Sequence, residues 1–60
     1  MTFRGPFHLY AMKGRAERLF CFDDIEKARD QRRECWAQGW DAALFRVWQD
    51  EQGREIEEEV

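Results

Sequence analysis

Short stretches of alternating apolar and polar residues predict a small sheet. Residues 7–12 alternate with the period of a strand, and the aromatic-rich run 18–22 predicts a second strand. The intervening residues 13–17 suit a hairpin loop that is longer than the tightest turns. Residues 42–49 alternate again and predict a third strand, and residues 54–60 suggest a short fourth strand with a disordered end.

A helix is predicted between the second and third strands, over about residues 24–38. Asp23 is followed three residues later by Glu26, the spacing at which the first free N–H groups of a helix are satisfied reciprocally. Gly39 suits the left-handed residue that ends a helix, and Trp40 can then fold back onto the last turn. The apolar positions that would face the sheet are Ile25, Ala28, Cys35 and Trp36.

These elements predict an α+β fold: a small antiparallel sheet of three to four strands with one helix packed on one face, in the chain order strand, strand, helix, strand and an optional fourth strand. The face under the helix is predicted to carry Phe7, Leu9, Ala11, Ala43, Phe45 and Val47. The opposite face is predicted to carry His8, Tyr10, Met12, Leu44, Arg46 and Trp48. Alternation leaves open which of residues 18–22 point inward.

The aromatic content points to an exposed apolar face. Five Phe, three Trp and one Tyr among sixty residues are more than one helix on one small sheet can cover. We therefore predict a protein-binding patch anchored by Tyr10, Arg46 and Trp48, with Leu44 beside them, because Trp, Tyr and Arg are enriched where proteins meet. Two alternatives stay open: the chain's own ends cover this face, or a second copy does so and forms a homodimer.

Charge is distributed unevenly along the chain. The net charge is −3, but residues 1–33 hold eight Lys/Arg against five Asp/Glu, whereas residues 34–60 hold two against eight. An acidic end of this kind predicts a partner with a basic surface and repels free nucleic acid. The acidic residues predicted to guide the partner are Asp50, Glu51, Glu55, Glu57 and Glu58.

Composition excludes most other classes of function. The two cysteines do not form a zinc-binding pattern, there is one histidine, and serine is absent, so we expect no metal, no cofactor and no catalytic activity. No segment is apolar enough to span a membrane and no signal peptide is visible, which predicts a cytoplasmic protein. The length predicts a single domain over residues 1–60, with residues 1–5 and 58–60 frayed.

Binding of single-stranded nucleic acid is the remaining alternative. Tyr10, Trp48 and Arg46 on an open sheet could stack on bases with a cation beside them. The pI of about 5.0 opposes this reading, because phosphate binding depends on an excess of cations.

In being short, acidic, and built from a few strands and one helix, the chain resembles the small inhibitor proteins of phages and mobile elements, of the anti-CRISPR kind. The resemblance covers the whole chain in architecture and charge. It implies inhibition by steric blocking, in which acidic residues occupy a basic nucleic-acid groove on a host protein. The residues that would do so are Asp50, Glu51, Glu55, Glu57 and Glu58.

Overall fold

The computed structural model describes residues 5–60, and it confirms the α+β class. One helix packs on one face of a four-stranded antiparallel sheet. The elements in chain order are β1 (Phe7–Lys13), β2 (Ala16–Phe22), α1 (Ile25–Ala37), β3 (Asp41–Gln49) and β4 (Glu55–Glu59). The fraying predicted for residues 1–5 falls almost entirely outside the described residues.

The spatial order of the strands differs from their order along the chain. The sheet runs β2-β1-β3-β4, and all neighbouring strands are antiparallel. The chain therefore leaves the sheet at the β2 edge, crosses it through α1, and returns beside β1. Because α1 contacts β3, β1 and β2 within the described chain, one side of the sheet is covered and the other is left open.

The carboxyl-terminal end of α1 is formed as the sequence predicts, whereas its amino-terminal end is capped by Asp24 and not by the predicted pair Asp23 and Glu26. Asp24 is the N-cap, one residue later than the predicted acidic start, and its carboxylate accepts a hydrogen bond of 2.8 Å from the N–H of Glu26. At the other end Trp40 N–H donates to the carbonyl of Cys35 at 2.9 Å, and Gly39 N–H donates to that of Trp36 at 3.0 Å. These two bonds are a Schellman motif, which satisfies the last carbonyls of α1 and turns the chain back toward the sheet.

The β1–β2 hairpin is tighter than predicted. The pairing of Lys13 with Ala16 leaves only Gly14 and Arg15 in the loop. Gly14 has φ of +60° while Arg15 has a negative φ, the combination found in a type II′ turn. The longer loop predicted over residues 13–17 is therefore wrong, because a glycine at the first central position allows a two-residue connection.

The prediction for the two faces of β3 is also wrong. Leu9 pairs directly with Leu44, and both are completely buried, so the even-numbered residues of β3 face α1. Ala43, Phe45 and Val47, predicted to lie under the helix, face away from it. Both alternating sets of β3 are largely apolar, so the alternation could not choose between them. A shift of one residue in register exchanges the faces of a strand.

The core is small and depends on close approach of α1 to the sheet. Its buried members are Leu9, Ala11, Ala28, Cys35 and Leu44. Ala11 and Ala28 have short side chains, so α1 can lie close above β1 and β3. Half-buried apolar groups that include Phe7, Phe20, Phe22 and Trp40 surround this centre. Cys35 acts as a small apolar core residue, and it is not bonded to Cys21.

The carboxyl-terminal residues are part of the sheet. Glu58 and Glu59 belong to β4, and Val60 packs against the core, so the fraying predicted for residues 58–60 is not observed. Val60 N–H donates to the carbonyl of Leu44 at 3.0 Å, and its carbonyl accepts from Arg32 Nη1 at 2.7 Å. Within residues 5–60, no helix is long and apolar enough to cross a membrane.

Gly5 gives a test of how the amino-terminal end of β1 is held against β2. It is buried with φ of +108°, and a Cβ at this position would overlap the carbonyl of Phe22. We expect Gly5→Ala to lower the free energy of unfolding by about 3 kcal/mol, because it adds a backbone clash to left-handed strain. Urea denaturation followed by circular dichroism measures the loss.

Gly14→Ala is the matched control for this experiment. Gly14 also has a positive φ, but no atom lies within 4 Å of a Cβ built there. We expect it to cost only about 1 kcal/mol, the strain of a left-handed alanine. Equal losses in the two variants would show that the contact with Phe22 does not constrain the fold.

Candidate functional site

The candidate site is the open face, defined as the side of the sheet that faces away from α1. Its middle, the apolar centre, consists of Tyr10, Met12, Leu19, Ala43, Phe45 and Val47. Its border, the acidic rim, consists of Glu17, Asp41, Glu55, Glu57 and Glu59. Alternation within each strand places these side chains on one side of the sheet, and the pairing of the strands brings them together.

The apolar centre is exposed to a degree unusual for large hydrophobic side chains. Leu19 is 56% exposed, Met12 is 50% exposed and Tyr10 is 38% exposed, and all three lie on neighbouring strands. Leu19 pairs directly with Tyr10 across β1 and β2. A contiguous apolar patch bordered by polar residues is typical of a surface that binds another molecule.

Tyr10 connects the apolar centre to the acidic rim. Its ring meets the ring of Phe45 edge to face, with centroids 5.6 Å apart. Its hydroxyl donates a hydrogen bond of 3.4 Å to Oε1 of Glu57. Burial of the hydroxyl and the negative charge of Glu57 raise the pKa of Tyr10 above its ordinary value of 10.0. The tyrosine is therefore a neutral hydrogen-bond donor at physiological pH.

The open face is negative because the cations of the strands lie on the other side. Arg18 lies over the ring of Trp40 at 5.0 Å, and Arg46 lies over the ring of Trp48 at 5.3 Å. Lys13 Nζ donates to the carbonyl of Gln38 at 2.9 Å, at the end of α1. The described strands contribute no Lys or Arg to the open face, which carries the five carboxylates of the acidic rim.

Only some of the residues predicted to bind a partner lie on this face. Tyr10, Glu55 and Glu57 lie there, with Tyr10 at its middle. Leu44 is in the core with no exposed surface, so its predicted place in an exposed patch is wrong. The residues that lie on the helix side of the sheet instead are Arg46, Trp48 and Glu58. Tyr10, Arg46 and Trp48 therefore do not form one surface.

Asp50 and Glu51 lie in the loop between β3 and β4. The Asp50 carboxylate accepts hydrogen bonds from the backbone N–H groups of Gln52 and Arg54, at 2.9 and 2.8 Å, and from Arg54 Nε at 2.9 Å. The N–H of Arg54 is the main cause that lowers the pKa of Asp50 below its ordinary value of 3.8. Asp50 thus organises the loop, whereas Glu51 is exposed to solvent.

Sequence reasoning left the facing of Leu19 open, and it placed Phe45 and Val47 on the wrong side of the sheet. For Leu19 a signal was present: a two-residue loop at Gly14 places Leu19 directly opposite Tyr10. For Phe45 and Val47 the sequence held no such signal, because the faces of β3 depend on the register of a long-range pairing. Glu17 and Asp41, which close one end of the acidic rim, were missed for the same reasons.

The open face also brings His8 and Cys21 together. The two residues pair directly across β1 and β2, and both are half-buried. Within residues 5–60, no group of three or more His, Cys, Asp or Glu side chains is placed to hold a metal ion. Comparisons with protein-family models, curated proteins and solved structures find no match to this chain.

The contact between Tyr10 and Glu57 predicts a measurable titration. Tyr10 is the single tyrosine, so phenolate absorbance reports it alone. We expect Glu57→Gln to lower the pKa of Tyr10, because it removes a negative charge that disfavours the phenolate. The pKa should stay above 10.0, since burial also raises it.

Glu58→Gln is the control for the titration. Glu58 is the neighbouring residue of β4 but lies on the helix side, opposite Arg46. It should leave the pKa of Tyr10 where it is in the parent protein. An equal pKa in the parent and in Glu57→Gln would show that the two side chains do not interact in solution.

Proposed function

We propose that this protein is a non-enzymatic protein-binding module that docks through its open face. The observation that carries the proposal is the joint arrangement of the apolar centre and the acidic rim. The apolar centre offers Tyr10, Met12 and Leu19 to a partner, and burial of such side chains supplies most of the binding free energy at protein interfaces. The acidic rim selects the partner by charge.

The electrostatics of the open face favour a protein over a nucleic acid. A single-stranded nucleic acid needs aromatic side chains for its bases and cations for its phosphates. Tyr10 and Phe45 offer aromatic rings, but five carboxylates and no described Lys or Arg accompany them. Trp48 and Arg46, the other half of the suggested stacking platform, lie on the opposite side of the sheet. Phosphates would be repelled.

The partner that fits this face has a basic surface around an apolar patch. Glu55, Glu57 and Glu59 point to the same side of β4, so consecutive carboxylates are about 7 Å apart along the strand. A row of evenly spaced negative charges resembles, in its electrostatics, the backbone of a nucleic acid. We therefore extend the proposal to an inhibitor or adaptor of the phage type, which covers a nucleic-acid-binding groove on a host protein.

Site-specific crosslinking tests which face meets the partner. A photoreactive phenylalanine analogue is placed at Met12 on the open face, or at Arg29 on the outer side of α1, in cells that produce the protein. We expect an adduct from position 12 and none from position 29, and mass spectrometry identifies the crosslinked protein. An adduct from position 29 alone would contradict the proposal.

Affinity for the purified partner then tests the anchors. We expect Tyr10→Ala to weaken binding by about 2 kcal/mol in titration calorimetry, because it removes the aromatic side chain at the middle of the apolar centre. Arg29→Ala, on the exposed side of α1, should leave the affinity unchanged. Loss of binding in Trp48→Ala but not in Tyr10→Ala would move the site to the helix side.

Salt dependence tests the role of the acidic rim. A triple variant changes Glu55, Glu57 and Glu59 to Gln, which removes three charges while keeping the length of β4. We expect weaker partner binding at low salt and a smaller loss of affinity as salt rises, since fewer charges remain to be screened. Glu58→Gln, on the other side of the same strand, is the control. Identical salt profiles for all proteins would show that the rim takes no part.

A further inference from the structure

The free edge of β2 is a second surface of the sheet that is open to pairing. Within residues 5–60, the sheet ends at β2 on one side and at β4 on the other. An edge strand has unpaired backbone N–H and C=O groups that can bond to another strand, and charged side chains deter such pairing. Four of the five residues of β4 are glutamates. β2 carries only Glu17 and Arg18, whose charges cancel.

The pairing of β1 with β2 shows which backbone groups are free. A two-residue loop is closed by a hydrogen-bonded pair, here Lys13 and Ala16, and such pairs alternate with non-hydrogen-bonded pairs along the ladder. Tyr10 and Leu19 are thus a non-hydrogen-bonded pair. The N–H and C=O groups of Leu19, and likewise those of Glu17 and Cys21, point away from β1 toward the free edge.

We propose that a second copy of this chain pairs with this edge, antiparallel and about a two-fold axis, with Leu19 opposite Leu19 of the second copy. Two four-stranded sheets then become one continuous sheet of eight strands, with both helices on the same side. The two open faces join along the axis into a single surface. The inference does not depend on the proposed function, because it uses the edge of β2 and not the docking of a partner.

The side chains favour this register over those centred on Arg18 and on Phe20. With Leu19 on the axis, Glu17 lies opposite Cys21 of the second copy and Arg18 lies opposite Phe20, so no like charges meet. One step beyond the strand, Arg15 of one copy faces Asp23 of the other, and these exposed residues have opposite charges.

The neighbouring registers are unfavourable. An axis through Arg18 sets two arginines opposite each other, and an axis through Phe20 sets Glu17 opposite Asp23. The match of Arg15 with Asp23 is present twice in the symmetric pair. This complementarity of β2 to itself favours a second copy over an unrelated extended peptide.

Apolar burial favours the same association. Leu19 is 56% exposed, and on the helix side Phe20 and Phe22 are stacked 6.3 Å apart but only half-buried. A second β2 would cover all three residues. A domain of sixty residues buries little apolar surface alone, so this gain also adds to stability.

Light scattering across a range of protein concentrations tests the proposal, and we expect the full chain to be a dimer. Leu19→Pro removes the outward N–H at the axis without breaking a bond to β1, and it should raise the dimer dissociation constant at least about tenfold. Leu19→Lys and Leu19→Glu should each do the same, because they place like charges opposite each other. An equal mixture of the Lys and Glu variants should restore a dimer that contains one copy of each.

Met12→Lys is the matched control, since Met12 is half exposed on the same open face but lies on the interior strand β1. It should leave the dimer intact. A monomer at all concentrations for the parent chain overturns the proposal. The proposal is also overturned if Leu19→Lys leaves the dimer intact, or if Met12→Lys dissociates it as much as Leu19→Lys does. A mixture of the Lys and Glu variants that stays monomeric has the same consequence. The charge variants decide the matter if Leu19→Pro does not fold.

Discussion

The contact of Leu9 with Leu44 beneath Ala28 is the constraint on which the rest of the structure depends. All three residues are completely buried, and the pairing of the two leucines fixes the register of β3 against β1. Because side chains alternate along a strand, that one pairing determines on which side of the sheet each residue of β3 lies. The pairing of β3 with β4 then determines the same for β4. The set of side chains on the open face is therefore a consequence of the pairing between Leu9 and Leu44 in the core.

The second organising feature is the separation of charge between the two sides of the sheet. Along the chain, most of the excess acidic residues lie in the second half. In the folded protein, most of the strand carboxylates gather on the open face and the strand cations on the helix side. Arg18 and Arg46 lie over tryptophan rings on the helix side, where cation–π contact favours their guanidinium groups. The carboxylates of Glu55, Glu57 and Glu59 lie on the open face, away from those cations. The two sides of the sheet thus differ in charge, because the open face carries carboxylates without any Lys or Arg from the described strands.

Local signals in the sequence predicted most of the fold but only part of the candidate site. The acidic N-cap region and Gly39 mark α1 correctly, because capping depends on neighbouring residues. Tyr10 was placed correctly because β1 has one clearly apolar set of positions. In β3 both sets are apolar, so Leu44 and Phe45 could exchange roles until a long-range pairing chose between them. The site was mispredicted at the strand where local pattern carries no information about facing.

That ambiguity in β3 has an evolutionary consequence. The Schellman turn at Gly39 and Trp40 sets the phase with which the chain enters β3. A single inserted or deleted residue in this turn would exchange the two faces of the strand, and either set could still supply an apolar contact to Leu9. The exchanged form would place Arg46 and Trp48 on the open face, together with Glu58, which pairs with Arg46. One sequence thus lies a single insertion or deletion at this turn away from a surface in which Arg46 and Trp48 replace part of the row of carboxylates.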